Sequence, residues 1–301
     1  MRNFLGVIFI VLSSTVSFAQ TQLEYKLKKN AVFTVKQNAE QIITQELDGA
    51  SHILTNKING VLEFKVLEVR DTTYMIALKF KDLNLNMTSS IQGELMDIHA
   101  QEVDESNMQS KIFNSLLNRP VEIILNKTGD ILEVKGGDSL VVKMAEASGL
   151  EDEFSLNMMK KSLQKEFGSE ALSNSYKQMT FIYPKKKVQV GNTWKNQYSG
   201  KLQADNIWTL KAITANSANI TGTAAVTMNV VEAGTTMKLT GTQKSDITTN
   251  AITGFIKEMN VEGVSKGSST MTQMGDQEIP TTIQSSITYE LIPNLNEPIN
   301  N

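Results

Sequence analysis

The segment most suggestive of chemistry is Gly263-Val264-Ser265-Lys266-Gly267, which has the Gly-x-Ser-x-Gly form of a hydrolase nucleophile. That chemistry needs the serine on a tight strand-to-helix turn and a histidine arriving later in the chain. Here no helical pattern follows, and the two histidines, His52 and His99, both lie far upstream. Ser162-Leu163-Gln164-Lys165 and Lys127-Thr128-Gly129 have the form of the Ser-x-x-Lys and Lys-Thr-Gly elements of penicillin-recognising enzymes. Their order is reversed, however: in those enzymes the serine element comes first. Lys127-Thr128-Gly129 reads as a hairpin turn, and Ser162 falls inside an amphipathic helical pattern. Two distant histidines and no cysteine offer no zinc set, and no calcium-loop pattern occurs. Glu151-Asp152-Glu153 stands at a helix start, where the helix dipole favours negative charge. A carboxylate pair for glycoside hydrolysis is a matter of geometry that sequence does not display. We therefore assign no catalytic residue, no metal and no cofactor, and name no cofactor-binding residue.

The elements that would have to position any site are mainly strands. From Val32 to about His99 the pattern is strand-like. Tyr74, Ile76, Leu78 and Phe80 alternate with smaller or more polar residues, giving one apolar face at period two. Beyond Lys81-Asp82 the apolar parity switches to Leu83, Leu85 and Met87, which predicts a bulge or turn there. Residues 104–118 read as a helix with Asp104 as N-cap and Pro120 beyond its end. Val121 to Leu125 and Ile131 to Val134 form a hairpin about the turn-like residues 126–130. Three helical stretches follow Gly136-Gly137: one starting near Asp138, one carrying Phe154, Met158, Met159, Leu163 and Phe167, and one after Gly168 with Ser169 as cap. Strand patterning resumes at Pro184 and runs to Leu291, with Ile220, Ala224, Val226, Met228 and Val230 on one parity.

These elements give an α+β chain, mainly antiparallel β. It divides into a strand-rich half (20–103), a helical middle segment with one hairpin (104–183), a second strand-rich half (184–292) and a polar tail (293–301) expected to be disordered. An internal duplication is one reading of the two halves: residues 29–33 resemble 190–194, and at a constant offset Phe64, Val66, Val69 and Ile76 meet Trp208, Leu210, Ile213 and Ile220. The alternative is that any two alternating segments align this way.

The start of the chain has its own logic. Arg2, the apolar run Phe4 to Leu12 and the small residues ending in Ser17-Phe18-Ala19 follow the plan of a signal peptide over residues 1–19. No later run is long enough for a spanning helix, so no transmembrane segment is expected after cleavage. Without any cysteine the chain carries neither a lipid anchor of the lipoprotein type nor a disulfide. A formal charge of -3 gives no basic field for nucleic acid, and Lys185-Lys186-Lys187 beside Pro184 reads as the solvated start of a strand. With 6% aromatic residues, a helical middle and a polar tail, a membrane barrel fits poorly.

Pro184, Val188, Val190-Gly191-Asn192 and Trp194, the opening Tyr25-Lys26-Leu27-Lys28-Lys29-Asn30 and the late Thr253-Gly254-Phe255-Ile256 together resemble an uncharacterised family of exported Gram-negative bacterial proteins, a domain of unknown function. Asn30 stands where that family's turn glycine is expected. The signal-peptide plan without a lipoprotein cysteine predicts a periplasmic or extracellular protein, and the resemblance supplies no site residues. The resulting expectation is a non-catalytic binding module of the cell envelope, its partner an apolar or lipid-like small molecule or an envelope protein. The alternatives are a structural or interaction protein and an unrecognised carboxylate-dependent hydrolase.

Overall fold

The computed structural model describes residues 20–293 except 48, 233, 273, 274 and 276, so the expected signal peptide and nearly all of the polar tail lie outside the described residues. Twelve strands form one antiparallel sheet: β1 (Val32–Leu47), β2 (Ala50–Val69), β3 (Thr73–Ser89), β4 (Gly93–His99), β5 (Val121–Asn126), β6 (Ile131–Lys135), β7 (Thr193–Tyr198), β8 (Leu202–Ile213), β9 (Ser217–Glu232), β10 (Thr235–Asn250), β11 (Ile256–Met271) and β12 (Ile279–Ile292). Their order is β6-β5-β3-β2-β1-β12-β11-β10-β9-β8-β7, with β4 beside the far end of β3. Because β1 pairs with β12, the N-terminal and C-terminal strands share one continuous sheet. Four helices follow β4 in the chain: α1 (Met108–Leu116), then, after β5 and β6, α2 (Gly137–Ala147), α3 (Glu153–Phe167) and α4 (Ser169–Thr180). No helix among the described residues is long and apolar enough to cross a membrane.

Period-two patterning explains the two faces of the sheet. Val35, Leu62, Phe64, Ile76, Leu78 and Phe80 are buried on the face that carries the core. The opposite face is wet and charged, with ion pairs between Lys57 and Glu40 at 3.2 Å and between Lys79 and Glu63 at 3.6 Å. The parity switch after Phe80 is a bulge: Leu62 pairs with Phe80 but Val61 with Asp82, so Lys81 is the extra residue and Leu83 returns to the core-bearing face.

Laid flat, the eleven strands of the main path would be about 48 Å across at the usual interstrand spacing. Yet α4, about 18 Å long, packs against β6 at one edge and reaches β7 at the other. Lys177 meets Asp130 in the β5–β6 turn at 2.8 Å, while the Gln178 carbonyl accepts the Tyr198 hydroxyl of β7 at 3.3 Å. The sheet therefore curls until its edges nearly meet, with α4 in the gap. Residues 20–28 add a plug, for Tyr25 N–H donates to the Lys127 carbonyl and Lys26 N–H to the Thr253 carbonyl.

Some local details differ from the sequence expectations. Helix α1 begins at Met108 and its N-cap is Asn107, whose side chain accepts from Gln109 and Ser110 N–H. Asp104 instead closes a preceding turn by accepting from Ser106, a local bond that competes with helix nucleation. Ser169 is already helical and does not cap α4. Its N–H donates to Asp138 Oδ1 at 3.3 Å, where Gln164 Nε2 also donates at 2.6 Å, and the Gln164 bond is the larger cause of a depressed Asp138 pKa. The hairpin turn is organised by Asn126 Oδ1, which accepts from Thr128 N–H, Thr128 Oγ1 and Asp130 N–H. Gly129, at φ +92°, lies so close to the Thr180 carbonyl that an added Cβ would sit 1.8 Å from its oxygen. Gly129→Ala is expected to lower stability by about 3 kcal/mol in urea unfolding, from left-handed strain plus overpacking. Gly49→Ala has the same sign of φ but open space around it, and should cost only about 1 to 2 kcal/mol.

The strand registers repeat. Val66 faces Ile76 and Phe64 faces Leu78 across β2–β3, and Leu210 faces Ile220 and Trp208 faces Gly222 across β8–β9. The β2–β3 bulge at Val66/Glu68 recurs at Leu210/Ala212. Asn30 donates to the Val66 carbonyl at 2.8 Å, and Gly191 to the Leu210 carbonyl at 2.8 Å. Both residues hold positive φ, 67° and 89°, so Asn30 does occupy a glycine-type conformation.

Candidate functional site

Ser265 lies mid-strand in β11, opposite Gly241 and Ile283, and is only 7% exposed. An extended, doubly paired backbone cannot present the exposed hydroxyl of a nucleophile turn. His52 is on β2 with Nε2 3.0 Å from Ser89 Oγ; His99 is on β4 with Nδ1 3.2 Å from Asn84 Oδ1 and Nε2 3.4 Å from Asp97. Ser162 sits on α3 while Lys127-Thr128-Gly129 forms the β5–β6 turn. Asp152 caps α3, accepting from Phe154 and Ser155 N–H; the Ser155 side chain first, and then these backbone bonds, hold its carboxyl below the usual range. Each of these groups has a structural occupation.

Among the described residues, two surfaces stand out as able to hold a ligand. The first is the core-bearing face of the sheet. Near the helices it is filled: beside Tyr198, Asn206, Trp208 and Tyr289 the remaining void is about 10 Å³, room for about one water at most. The six tyrosines, all buried, weld this end together. Tyr25 donates to the Thr180 carbonyl, Tyr74 to the Tyr25 carbonyl and Tyr183 to the Gly254 carbonyl. Phe33 stacks on Phe255 at 4.1 Å between ring centres.

Farther along the strands the same face loses its helical cover. Ile43, Leu54, Leu85, Met87 and Met96 are half-buried there and Ile58 is 37% exposed. Register makes them one patch: Ile43 faces Leu54, Ile58 faces Leu85 and Met87 faces Met96. Inside it, Asn56 Oδ1 is buried without a hydrogen-bond partner, although its Nδ2 reaches Gln41 Oε1 at 3.4 Å. On the neighbouring strands the sheet coils tightly, since an added Cβ at Gly241 or Gly267 would press on the adjacent backbone at 2.0 or 2.1 Å. That coiling buries Leu239, Ile279 and Ile283 with the polar set Gln45, Ser269 and Thr281.

The second surface is a notch of about 650 Å³ between β7 and residues 181–188, lined by Lys185, Lys186, Lys187, Lys195 and Trp194 among others. Sequence reading found the three consecutive lysines and quoted Trp194 within the family-like motif, but it did not place Trp194 or Lys195 beside those lysines. Alternation along β7 gives no hint that the incoming segment folds back next to it.

A model of a family described as a family of unknown function, DUF6263, matches residues 71–256, more than half of the chain. The chain belongs to the DUF6263 family. The match begins in the β2–β3 turn and ends where β11 starts, so it takes in the helices, the notch and most of the curled sheet. No curated protein sequence matches this DUF6263 member. Among solved structures, one described as lipid-protein interactions in lipovitellin is similar with a TM-score of 0.50 at 12% identity, over 92% of this chain and 26% of that one. This likeness is one of fold, and the chain spans about a quarter of the lipovitellin chain. The outer membrane protein OprG from Pseudomonas aeruginosa matches at a TM-score of 0.27 and 7% identity, over 87% of this chain and 94% of that one.

Proposed function

We propose that this chain is an exported, non-catalytic binding module of the cell envelope, periplasmic or extracellular, that holds an apolar or lipid-like ligand against the uncovered part of its core-bearing sheet face. The observation that carries this reading is the partly exposed patch Ile43, Leu54, Ile58, Leu85, Met87 and Met96, a continuation of the core-bearing face beyond the main helical cover. Apolar surface left contiguous in this way marks interaction sites, and flexible methionines adapt to ligands of varied shape. Export rests on the signal-peptide plan of residues 1–19. The segments 20–103, 104–183 and 184–292 are read as parts of one body, and residues 293–301 as a tail.

We also infer that β1, β2, β3, β5 and β6 form one copy of a duplicated unit and β7 to β11 the other, with β12 joining them. Matching registers, bulges and turn hydrogen bonds support this. So does the Asn250 turn, where Asn250 Oδ1 accepts from Ile252 and Thr253 N–H as Asn126 Oδ1 does in its own turn.

Native mass spectrometry of the mature protein from its own envelope, before and after organic extraction, is expected to show an extractable apolar adduct. The double variant Ile58→Glu/Met87→Glu should lose that adduct while keeping its circular dichroism. A bare mass from gently purified protein would remove the ground for an apolar ligand.

A further inference from the structure

The notch beside β7 carries an inference independent of the ligand on the core-bearing face. After α4 the chain crosses in front of β7, and side chains rather than a backbone ladder pin it there. Trp194 Nε1 donates to the Ile182 carbonyl at 3.0 Å and Asn196 Nδ2 to the Phe181 carbonyl at 2.5 Å. At the far end of the crossing Val188 pairs with Thr21. Side chains hold the segment off the strand edge, which opens the 650 Å³ space.

The lining is electrostatically one-sided. Lys185, Lys186, Lys187 and Lys195 contribute four positive charges, no acidic residue lines the notch, and among the described residues none of the four takes part in an ion pair. This concentration lies on a chain whose formal charge is -3, so it is a local feature and no reflection of composition. Lysines are compact, strongly hydrated point charges, and holding four around one concavity is favourable when a multivalent anion sits among them. The half-buried Trp194 gives the notch an apolar wall. Beyond Lys185 and Lys195 the space continues into a trough of about 1060 Å³ over Ile207, Thr223 and Ala225. Its one acid, Asp205, is tied to Gln197 at 2.7 Å.

We propose that this notch binds the phosphoryl group of a phosphorylated organic molecule, with the lysines on the phosphate and the body of the ligand lying past Trp194 into the trough. The phosphoryl group could belong to a soluble phosphoester or to a lipid headgroup, and the test separates these sources. Inorganic pyrophosphate is titrated into the mature protein while the fluorescence of Trp194 is followed; Trp208 is buried and serves as a constant background. In parallel, flotation is measured with phosphatidylglycerol-containing vesicles against pure phosphatidylcholine vesicles. Binding of pyrophosphate alone assigns a soluble phosphate compound, and flotation with the anionic vesicles assigns a lipid headgroup. In either arm the triple variant Lys186→Gln/Lys187→Gln/Lys195→Gln should weaken binding at least about tenfold, a loss of about 1.4 kcal/mol. The control triple Lys57→Gln/Lys161→Gln/Lys238→Gln, exposed elsewhere, should leave it within about twofold. The proposal is overturned if neither probe binds, or if the two triples weaken binding equally.

Discussion

Above about pH 10 the protein is expected to unfold in a single steep transition, with tyrosinate absorbance rising only as the fold is lost. The expectation rests on all six tyrosines being buried. Burial is the first cause of a raised pKa at each one: it pushes Tyr289 up to about 12, Tyr176, Tyr183 and Tyr198 higher still, and Tyr25 and Tyr74 upward from the ordinary value. Below about pH 10 a tyrosine is neutral in both folded and unfolded chains and adds no pH dependence. Between that value and the folded pKa, the unfolded chain ionises while the folded one does not. Unfolding then releases protons, so the stability present below the unfolded pKa is lost as pH rises through this window. Each strongly shifted tyrosine contributes a slope of about 1.4 kcal/mol per pH unit, so Tyr25, Tyr176, Tyr183, Tyr198 and Tyr289 together give about 7. Against a total stability of about 5 to 15 kcal/mol, that slope ends the folded state within about two pH units. Tyrosinate absorbance and circular dichroism should therefore change together, and Tyr289→Phe should make the slope shallower by one tyrosine's share. A tyrosine that ionises near pH 10 while the dichroism is still native would show that this end of the curled sheet is open to solvent.

Trp208→Ala is expected to cost about 3 to 5 kcal/mol, the range for truncating a fully buried aromatic residue. Trp208 is 1% exposed, and its Nε1 donates to Asn196 Oδ1 at 2.9 Å, an acceptor that the truncation would strand. The ring occupies the space in front of Gly222, where an added Cβ would lie 2.3 Å from it. Gly222→Ala alone should therefore destabilise by about 1 to 3 kcal/mol, although alanine in an unobstructed strand would be the better residue. The pair Trp208→Phe/Gly222→Ala nearly conserves volume, and its cost should fall below the sum of the singles by about 1 to 2 kcal/mol. Urea unfolding of the four proteins of this cycle measures the coupling. Strict additivity would mean that the ring does not depend on the glycine.

The same pair explains what was legible beforehand. Phe64 and Trp208 could be matched by their offset because strand alternation forces large apolar residues onto one parity, whatever the partner strand. That each faces its counterpart in a hairpin of identical register, Phe64 with Leu78 and Trp208 with Gly222, is set by cross-strand pairing, which leaves no trace in the spacing of a single strand. The bulge at Lys81 could be read in advance because a bulge shifts parity, and parity is a local property of the sequence. The caps of α1 and α4 could not. At Asp104 and Ser169 several polar residues compete for the same orphan N–H groups, and at Ser169 the winner, Asp138, comes from another helix.

By itself, the sequence determined a chain of antiparallel strands with amphipathic helices between them, the absence of disulfides, and the mismatch between each motif-like segment and the chemistry it resembles. Local periodicity and composition carry that information. Tertiary structure alone decided that the first and last strands pair to make one sheet, and that the sheet curls around α4. It also decided that the helices fill one end of the core-bearing face while Ile58 and Met87 stay uncovered at the other. Lys195 and Trp194 were brought to Lys185-Lys186-Lys187 in the same way. Each of these is a contact between segments far apart in the chain, fixed by long-range register and by backbone approach at glycines such as Gly129 and Gly241, and no window of neighbouring residues encodes it.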